Sequence, residues 1–507
     1  MLSNNETIVD ADADSQPDVQ EAGATSSVSR SSKQDAAGLV KSRSITAMVG
    51  TWRLLTAKPW LTWAALMLIT AFIVIPWSQA AIRPDGDCHW WRIQKILSGE
   101  AVPKIDGLNR VSPLTVYDPE YSSGITLYCN NTAVNSPVAY LPALAAAAII
   151  AAIKGLESLA IPYSIDVAPT APTAYMIASV STAVFSILVT ALAIKTAGER
   201  FQWAVLATAT TPMTWTLFLY PTADAMACSV GLLYVSLVLG SIGRGSPSRL
   251  KIPALLALAV VMGQLKSSLC VLALLPFVLV LTGDWKPLAP IASLLTQAAS
   301  AVSWLVFVKG VPPVYAVWKM PGESGTTAQY DFLVNGYSEA VTGLLRDPMS
   351  LISLIVRTTF SYTDDAIRHG QEMSWAAGSA TGLFPIIVSI ASLIVLVIAA
   401  IAWSSTAPSL PVMRSSKTAK WLIAFILLAF TVLTTALMTI ASWRGRLDGV
   451  QIVGNQSRYY VTVIPLMLAL LPSVDWLQAN EETIRKMGMT LTIIVYAFSV
   501  IALVTAV

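Results

Sequence analysis

The stretch "WLTWAALMLITAFIVIPWSQA" (residues 60–80) is followed almost at once by "RPDGDCHWWR" (83–92). The first is apolar and of spanning length, since a helix needs about 20 such residues to cross a ~30 Å hydrocarbon core. The second places Asp85, Asp87, His89 and Arg92, with two Trp, at the mouth of that helix. A chain that is sparing with charge elsewhere has concentrated it here.

Of the 507 residues 55% are hydrophobic and 12% are charged. Soluble domains carry about a quarter charged residues, so the balance is that of a polytopic membrane protein. The net charge of +3 is too small to argue for a nucleic-acid partner. Basic residues are better read as topogenic. Residues 1–50, rich in Ser, Asp, Ala and Gln without apolar periodicity, read as a disordered tail. Lys41, Arg43, Arg53 and Lys58 precede the first apolar run and predict a cytoplasmic N-terminus. A secretory signal peptide is not expected, because the first apolar stretch is too long and starts near Trp60.

Beyond 60–80, further segments of spanning character lie near 137–154, 172–194, 203–220, 224–241, 252–282, 288–308, 382–404, 420–442, 459–473 and 488–506. Run 252–282 is long enough for two short helices, so residues 51–507 predict an all-α membrane domain of eleven or twelve segments. The loops with Arg244, Arg249 and Lys251, with Arg414, Lys417 and Lys420, and with Arg485 and Lys486 read as cytoplasmic. Two larger loops, 81–136 and 309–381, then lie outside, as does 443–458. Strict alternation conflicts with this by one crossing, which predicts that a segment between 137 and 282 does not fully cross. The expected location is a membrane crossed several times, with the N-terminus on the cytoplasmic side.

No P-loop, paired CxxC or HExxH is present, which removes the ATPase, zinc-ribbon and zincin readings. Cys228 and Cys270 lie in apolar runs and read as small buried hydrophobes. Cys88 and Cys129 both fall in the first outer loop, where an oxidising compartment makes them a disulfide candidate.

Asp85 is the sharpest candidate for chemistry. Partial desolvation at a membrane interface makes a carboxylate a better proton acceptor, suited to a sugar hydroxyl. The alternative is a solvated acid that caps the following helix. His89 lies four residues on and shares its face if the stretch is helical. Asp85, Asp87 and His89 are also acceptable ligands for a divalent ion, although no cofactor is assigned. Trp90 and Trp91 read as interfacial belt residues.

Lys266 stands inside the apolar run "GQLKSSLCVLALLPF", where an ionisable residue faces a cavity or a partner. It suits a phosphate as a point charge, or else snorkels from a break between two short helices. Arg458 opens the segment 459–473, either to bind a phosphate bidentately or as a topological anchor. Asp224 begins a helix on the outer side, favourably placed against its dipole.

These residues fall into a pattern. "PDGDCHWWRIQKILSGE" (84–100) resembles the P-D-E-x-x-H-F-x-R-A…G stretch of a family of bacterial polytopic proteins, domain-of-unknown-function family 2142. Asp85, His89, Arg92 and Gly99 take its Asp, His, Arg and Gly. "NSPVAYLP" (135–142) resembles the family's P-x-x-Y-x-P element with Tyr140 in place, and "TTFSYTDD" (358–365) its F-G-x-L-D element with Asp364. "VGNQSRYYVTVIPL" (453–466) is similar to its G-V-Q-G-R-Y-F-L-P run, with Gln456, Arg458 and Tyr459 in place. Asp224 and Lys266 also fall where the family has an Asp and a Lys, so the resemblance covers roughly residues 60–473. Gly86 replaces the Glu that follows the family's Asp, and Ser457 the Gly before its Arg.

That family in turn is similar to the GT-C superfamily of membrane glycosyltransferases. The resemblance implies inverting transfer of a sugar from a polyprenyl-phosphate donor to a cell-surface glycan or protein, on the outer side. It implies Asp85 as base, His89 as its support, and Lys266 and Arg458 at the lipid phosphate. Asp87, Arg92, Tyr140, Asp224, Asp364, Gln456 and Tyr459 would line the substrate site. A transporter or ligase of lipid-linked glycans without its own base is the competing expectation, and a non-catalytic envelope protein a third.

Overall fold

A computed structural model describes residues 58–77, 86–99, 135–159, 173–308 apart from 246 and 248, 345–360, 416–443 and 457–470, with a few isolated positions near 342 and 480–497. The tail 1–50 and most of both large loops, 81–136 and 309–381, lie outside the described residues, as do segments 382–404 and most of 488–506. What is described is helical, with no strand, and this is an all-α membrane protein. Five of the described helices are long and apolar enough to cross a membrane: Pro59–Pro76, Pro137–Lys154, Thr173–Gly198, Leu288–Phe307 and Lys417–Leu437.

In chain order, α1 is Pro59–Trp77 and α2 is Gly86–Leu97; a 3-10 turn, Pro137–Tyr140, leads into α3, Leu141–Lys154. Helix α4, Thr173–Thr210, is two helices joined at a sharp kink where Gly198 takes a left-handed φ of 70°. Helix α5 is Pro212–Phe218, and α6, Ala223–Leu239, starts where the Thr222 hydroxyl accepts from the Ala225 amide at 3.3 Å. Helix α7, Lys251–Gln264, stops at Leu265, and the chain continues as a 3-10 segment, Ser267–Leu274, and α8, Phe277–Leu281. Helices α9 (Leu288–Val308), α10 (Pro348–Phe360) and α11 (Lys417–Trp443) follow. A 3-10 turn, Ser457–Val463, then leads into α12, Ile464–Ala469.

Contacts between helix ends fix their directions. The Lys195 ammonium stands 5.0 Å over the Trp60 ring, and Gly240 lies against the Thr196 carbonyl. Lys251 Nζ donates to the Ser241 hydroxyl at 3.0 Å, and the Ser416 hydroxyl donates to the Leu281 carbonyl at 3.3 Å. The Asp284 carboxylate accepts the Gly243 and Gly245 amides at 2.9 and 3.0 Å, in a loop where both glycines have left-handed φ near 70°. These contacts gather one end of α1, α6, α7 and α11 and the kink of α4 with Lys58, Lys195, Arg244, Arg249, Lys251, Lys417 and Lys420, a basic end.

Run 251–284 therefore leaves the basic end and returns to it, a hairpin that turns at Leu265–Lys266. Ser181 donates to the Pro142 carbonyl at 2.7 Å, while the Leu159 carbonyl accepts from Trp90, whose ring meets Tyr175 edge-on. Helix α3 thus runs antiparallel to the start of α4.

Trp90 and Trp91 differ from expectation: they are buried, 0% and 2% exposed, and are not lipid-interface residues. Helix α2 is amphipathic, and its Trp face packs inward on Leu159 and Tyr175.

Close helix contact at the basic end depends on Gly240, where a Cβ would collide with the Thr196 backbone carbonyl. Gly240→Val should lower stability in detergent by roughly 1–3 kcal/mol. Ala254→Val, on an exposed face of α7, should be close to neutral. Thermal unfolding of the two purified variants checks the contrast.

Candidate functional site: a carboxylate shared by two cations

Three breaks in regular structure bring the site together. Asp224 stands in the first turn of α6, just past its Thr222 cap. Lys266 is the extended residue, φ −93° and ψ 138°, at the turn of the 251–284 hairpin. Arg458 opens the 3-10 turn that leads into α12.

At their meeting point Lys266 Nζ pairs with Asp224 Oδ1, and Arg458 Nε lies 3.1 Å from Asp224 Oδ2. The Asp224 side chain is 9% exposed, Arg458 13% and Lys266 25%, so the cluster is closed on the acid's side and more open at the lysine. Tyr459 completes it: its ring lies under Lys266 Nζ at 3.9 Å from the centroid, with the Arg458 guanidinium carbon at 5.5 Å. Two cations on one carboxylate leave one unit of positive charge.

The second part adjoins the first, because the His89 charge is among those that reach Asp224. His89 is buried, and its Nδ1 lies 2.6 Å from the Tyr140 hydroxyl. That hydroxyl also accepts from Asn135 Nδ2 at 3.1 Å. The Tyr140 hydroxyl thus stands between the His89 ring and the Asn135 amide. Arg92 is fully buried, and its Nη2 donates to the Asn135 backbone carbonyl at 3.1 Å. Residues 135–140 are thus the corner on which α2 and α3 meet.

Sequence reasoning did not single out Asn135, Ser136 or Gln264. The Ser136 hydroxyl donates to Gln264 Oε1 at 2.9 Å, and Gln264 Nε2 donates to the Ser300 carbonyl at 2.6 Å. Gln264 thereby pins the last turn before the break that exposes Lys266. Its signal was present as a second polar side chain in the run "GQLKSS".

Of the expected site residues, the structure brings together His89, Tyr140, Asp224, Lys266, Arg458 and Tyr459, with Arg92 behind them. Asp85, Asp364, Gln456 and Cys129 lie outside the described residues. Asp87 and Cys88 are described only as part of the α2 backbone. Among the described residues, no group of three or more His, Cys, Asp or Glu could hold a metal ion. Cys228 is a buried free thiol one turn below Asp224, and Cys270 is partly buried and free.

The fold and this cluster define an all-α membrane protein with a carboxylate–dication centre. Compared with family models, curated proteins and solved structures, the chain finds no match in any of the three. The family resemblance therefore rests on the motifs themselves.

Removing one member of a buried ion pair strands the other charge, at a cost of about 3–5 kcal/mol when burial is complete and less here. Losing Asp224 leaves two cations facing each other, whereas losing Lys266 leaves Arg458 on the carboxylate. Asp224→Leu should therefore lower the melting temperature more than Lys266→Met, as detergent melts would show.

Proposed function

We propose that the chain is a membrane glycosyltransferase of GT-C type. It takes a sugar from a polyprenyl-phosphate-linked donor on the extracytoplasmic side of a bacterial plasma membrane and passes it to a surface glycan or protein. The observation that carries this reading is the convergence of Lys266 and Arg458 on one partly open centre beside the His89–Tyr140 pair. A lipid phosphate is the anion that reaches such a depth, since its chain lies in the hydrocarbon while its charge seeks cations.

In this reading the acceptor hydroxyl gives its proton to the Asp85 carboxylate, and its oxygen attacks the anomeric carbon from the face opposite the phosphate. The bond from the anomeric carbon to the phosphate oxygen breaks, and polyprenyl phosphate leaves with both electrons. Lys266 and Arg458 offset the charge that develops on it. His89, held by Tyr140, orients the acceptor, with Arg92 and Asn135 fixing that pair. Asp87, Asp364 and Gln456 belong to the same substrate region by their place in the motifs.

One observation favours a second reading, a transporter or ligase of lipid-linked glycans. Helix α7 is discontinuous at Leu265–Lys266, and transporters bind substrate at such breaks near the bilayer midplane. Depth weighs against it. Helix α6 from Leu239 to Asp224 rises about 24 Å at 1.5 Å per residue, and α7 rises about 21 Å from the same end. With the basic end read as the cytoplasmic boundary, the cluster falls in the far third of a ~30 Å core, toward the outer surface.

The test is sugar transfer from a polyprenyl-phosphate donor by the full chain in proteoliposomes. Lys266→Gln and Arg458→Gln should each reduce transfer about a hundredfold or more. Asp85→Asn should abolish transfer while the chain is still made and inserted. Full transfer by Asp85→Asn would remove Asp85 as base and favour the transporter or ligase reading.

A further inference from the structure

We propose that the basic end carries a binding site for an anionic phospholipid, in the seam between α8 and α11. Its phosphate meets Lys286, Lys417 and Lys420, and an acyl chain lies against Leu281, Trp421 and Phe425. The site is separate from the Asp224 cluster and does not depend on the proposed reaction.

Two segments distant in sequence form it. The Ser416 hydroxyl donates to the Leu281 carbonyl at 3.3 Å, which brings the start of α11 to the last residue of α8. The chain then folds back on α8, because the Asp284 and Trp285 amides both donate to the Leu279 carbonyl, at 2.8 and 3.0 Å. Lys286, the next residue, is exposed and stays close to the same junction. Asp284 turns its carboxylate to the Gly243 and Gly245 amides and the Thr282 hydroxyl.

The helical repeat of α11 sets the rest. Ala419, Ile423 and Ile426 are buried and mark its inward face. Trp421 and Phe425 are 74% and 54% exposed on the opposite side, in one row with the exposed Lys417. Lys420 is half-buried on the flank between that row and Ser416. Ammonium groups thus stand at headgroup level, with an aromatic ring and apolar side chains directly below them. A purely topogenic role asks only that basic residues lie on one side of the membrane. It does not ask that lysines from two segments border one exposed apolar row. A free phosphate would meet the cations and leave the row uncovered, so the occupant is a lipid. A choline headgroup would bring its own ammonium to the lysines, so the lipid is anionic.

The experiment uses the full chain in phosphatidylcholine nanodiscs doped with phosphatidylglycerol bearing a photoactivatable acyl chain. Phosphatidylcholine with the same acyl chain runs in parallel, and cross-linked peptides are mapped by mass spectrometry. Labelling of the start of α11 by the glycerol lipid should exceed that by the choline lipid about tenfold or more, because each lysine near the surface adds up to about fivefold. Replacing Lys286, Lys417 and Lys420 together by Gln should remove the preference. Replacing Lys58, Lys195 and Arg249 by Gln takes the same charge from the same end and should leave it intact. Equal labelling by the two lipids in the wild type overturns the proposal without any variant. So does an equal loss in both triple variants, which is the behaviour of a general basic surface. Competition by millimolar glycerol phosphate overturns the choice of a lipid, since the headgroup alone would then fill the site.

Discussion

The Asp224 carboxylate, with one oxygen on Lys266 and the other near Arg458, joins three segments that share no local contact along the chain. Each segment departs from regular helix at that point. Helix α6 begins there, the 251–284 hairpin turns there, and the approach to α12 is still a 3-10 turn there. An uninterrupted helix at Lys266 would have satisfied its own backbone and carried the ammonium past the acid. Buried ion pairs are poor sources of net stability, because desolvation offsets most of the attraction. A membrane chain that interrupts three segments to assemble one is therefore better explained by what the charges hold than by what they add to the fold.

Glycines make the assembly sterically possible. A Cβ at Gly231, two turns below Asp224, would press on the Thr462 side chain, one turn past Arg458. At Gly263, next to Gln264, a Cβ would meet the Gln297 carbonyl and Ser300. In a bilayer the helices gain little from apolar burial against one another, so close backbone approach and polar contacts carry their association. Both close approaches lie within a few residues of the ion cluster. The packing that brings Arg458 down onto α6, and α7 onto α9, is the packing that fixes the charges.

Much of this was legible in the sequence, and the illegible part has a physical cause. Length and hydropathy identify the membrane helices, because the bilayer sets one length for all of them. Lys266 and Asp224 stand out singly as charges beside apolar runs. Their pairing does not: a break at Lys266 was among the readings of the sequence, but nothing in it tells which other segments that turn meets. Segment 137–154 has the composition of a spanning helix, and its antiparallel packing on α4 shows only in the contacts of Pro142 and Leu159. Trp90 and Trp91 were misread for a related reason. Trp suits both an interface and a core, and its place in α2 cannot tell whether that face meets lipid or protein.

The corner at 135–140 ties the two parts of the site into one mechanical unit. Its Asn135 carbonyl holds Arg92 and its amide holds Tyr140, which in turn holds His89. Its Ser136 hydroxyl caps the 3-10 turn by accepting from the Val138 amide, and it donates to Gln264, two residues before Lys266. Pro137 restricts the backbone between these contacts. A displacement of α2 therefore strains the His89–Tyr140 pair and the turn that presents Lys266 through the same short segment. The outer-loop helix and the ion cluster cannot rearrange independently unless this corner gives way. A handful of hydrogen bonds thus couples the ion cluster to the His89–Tyr140 pair.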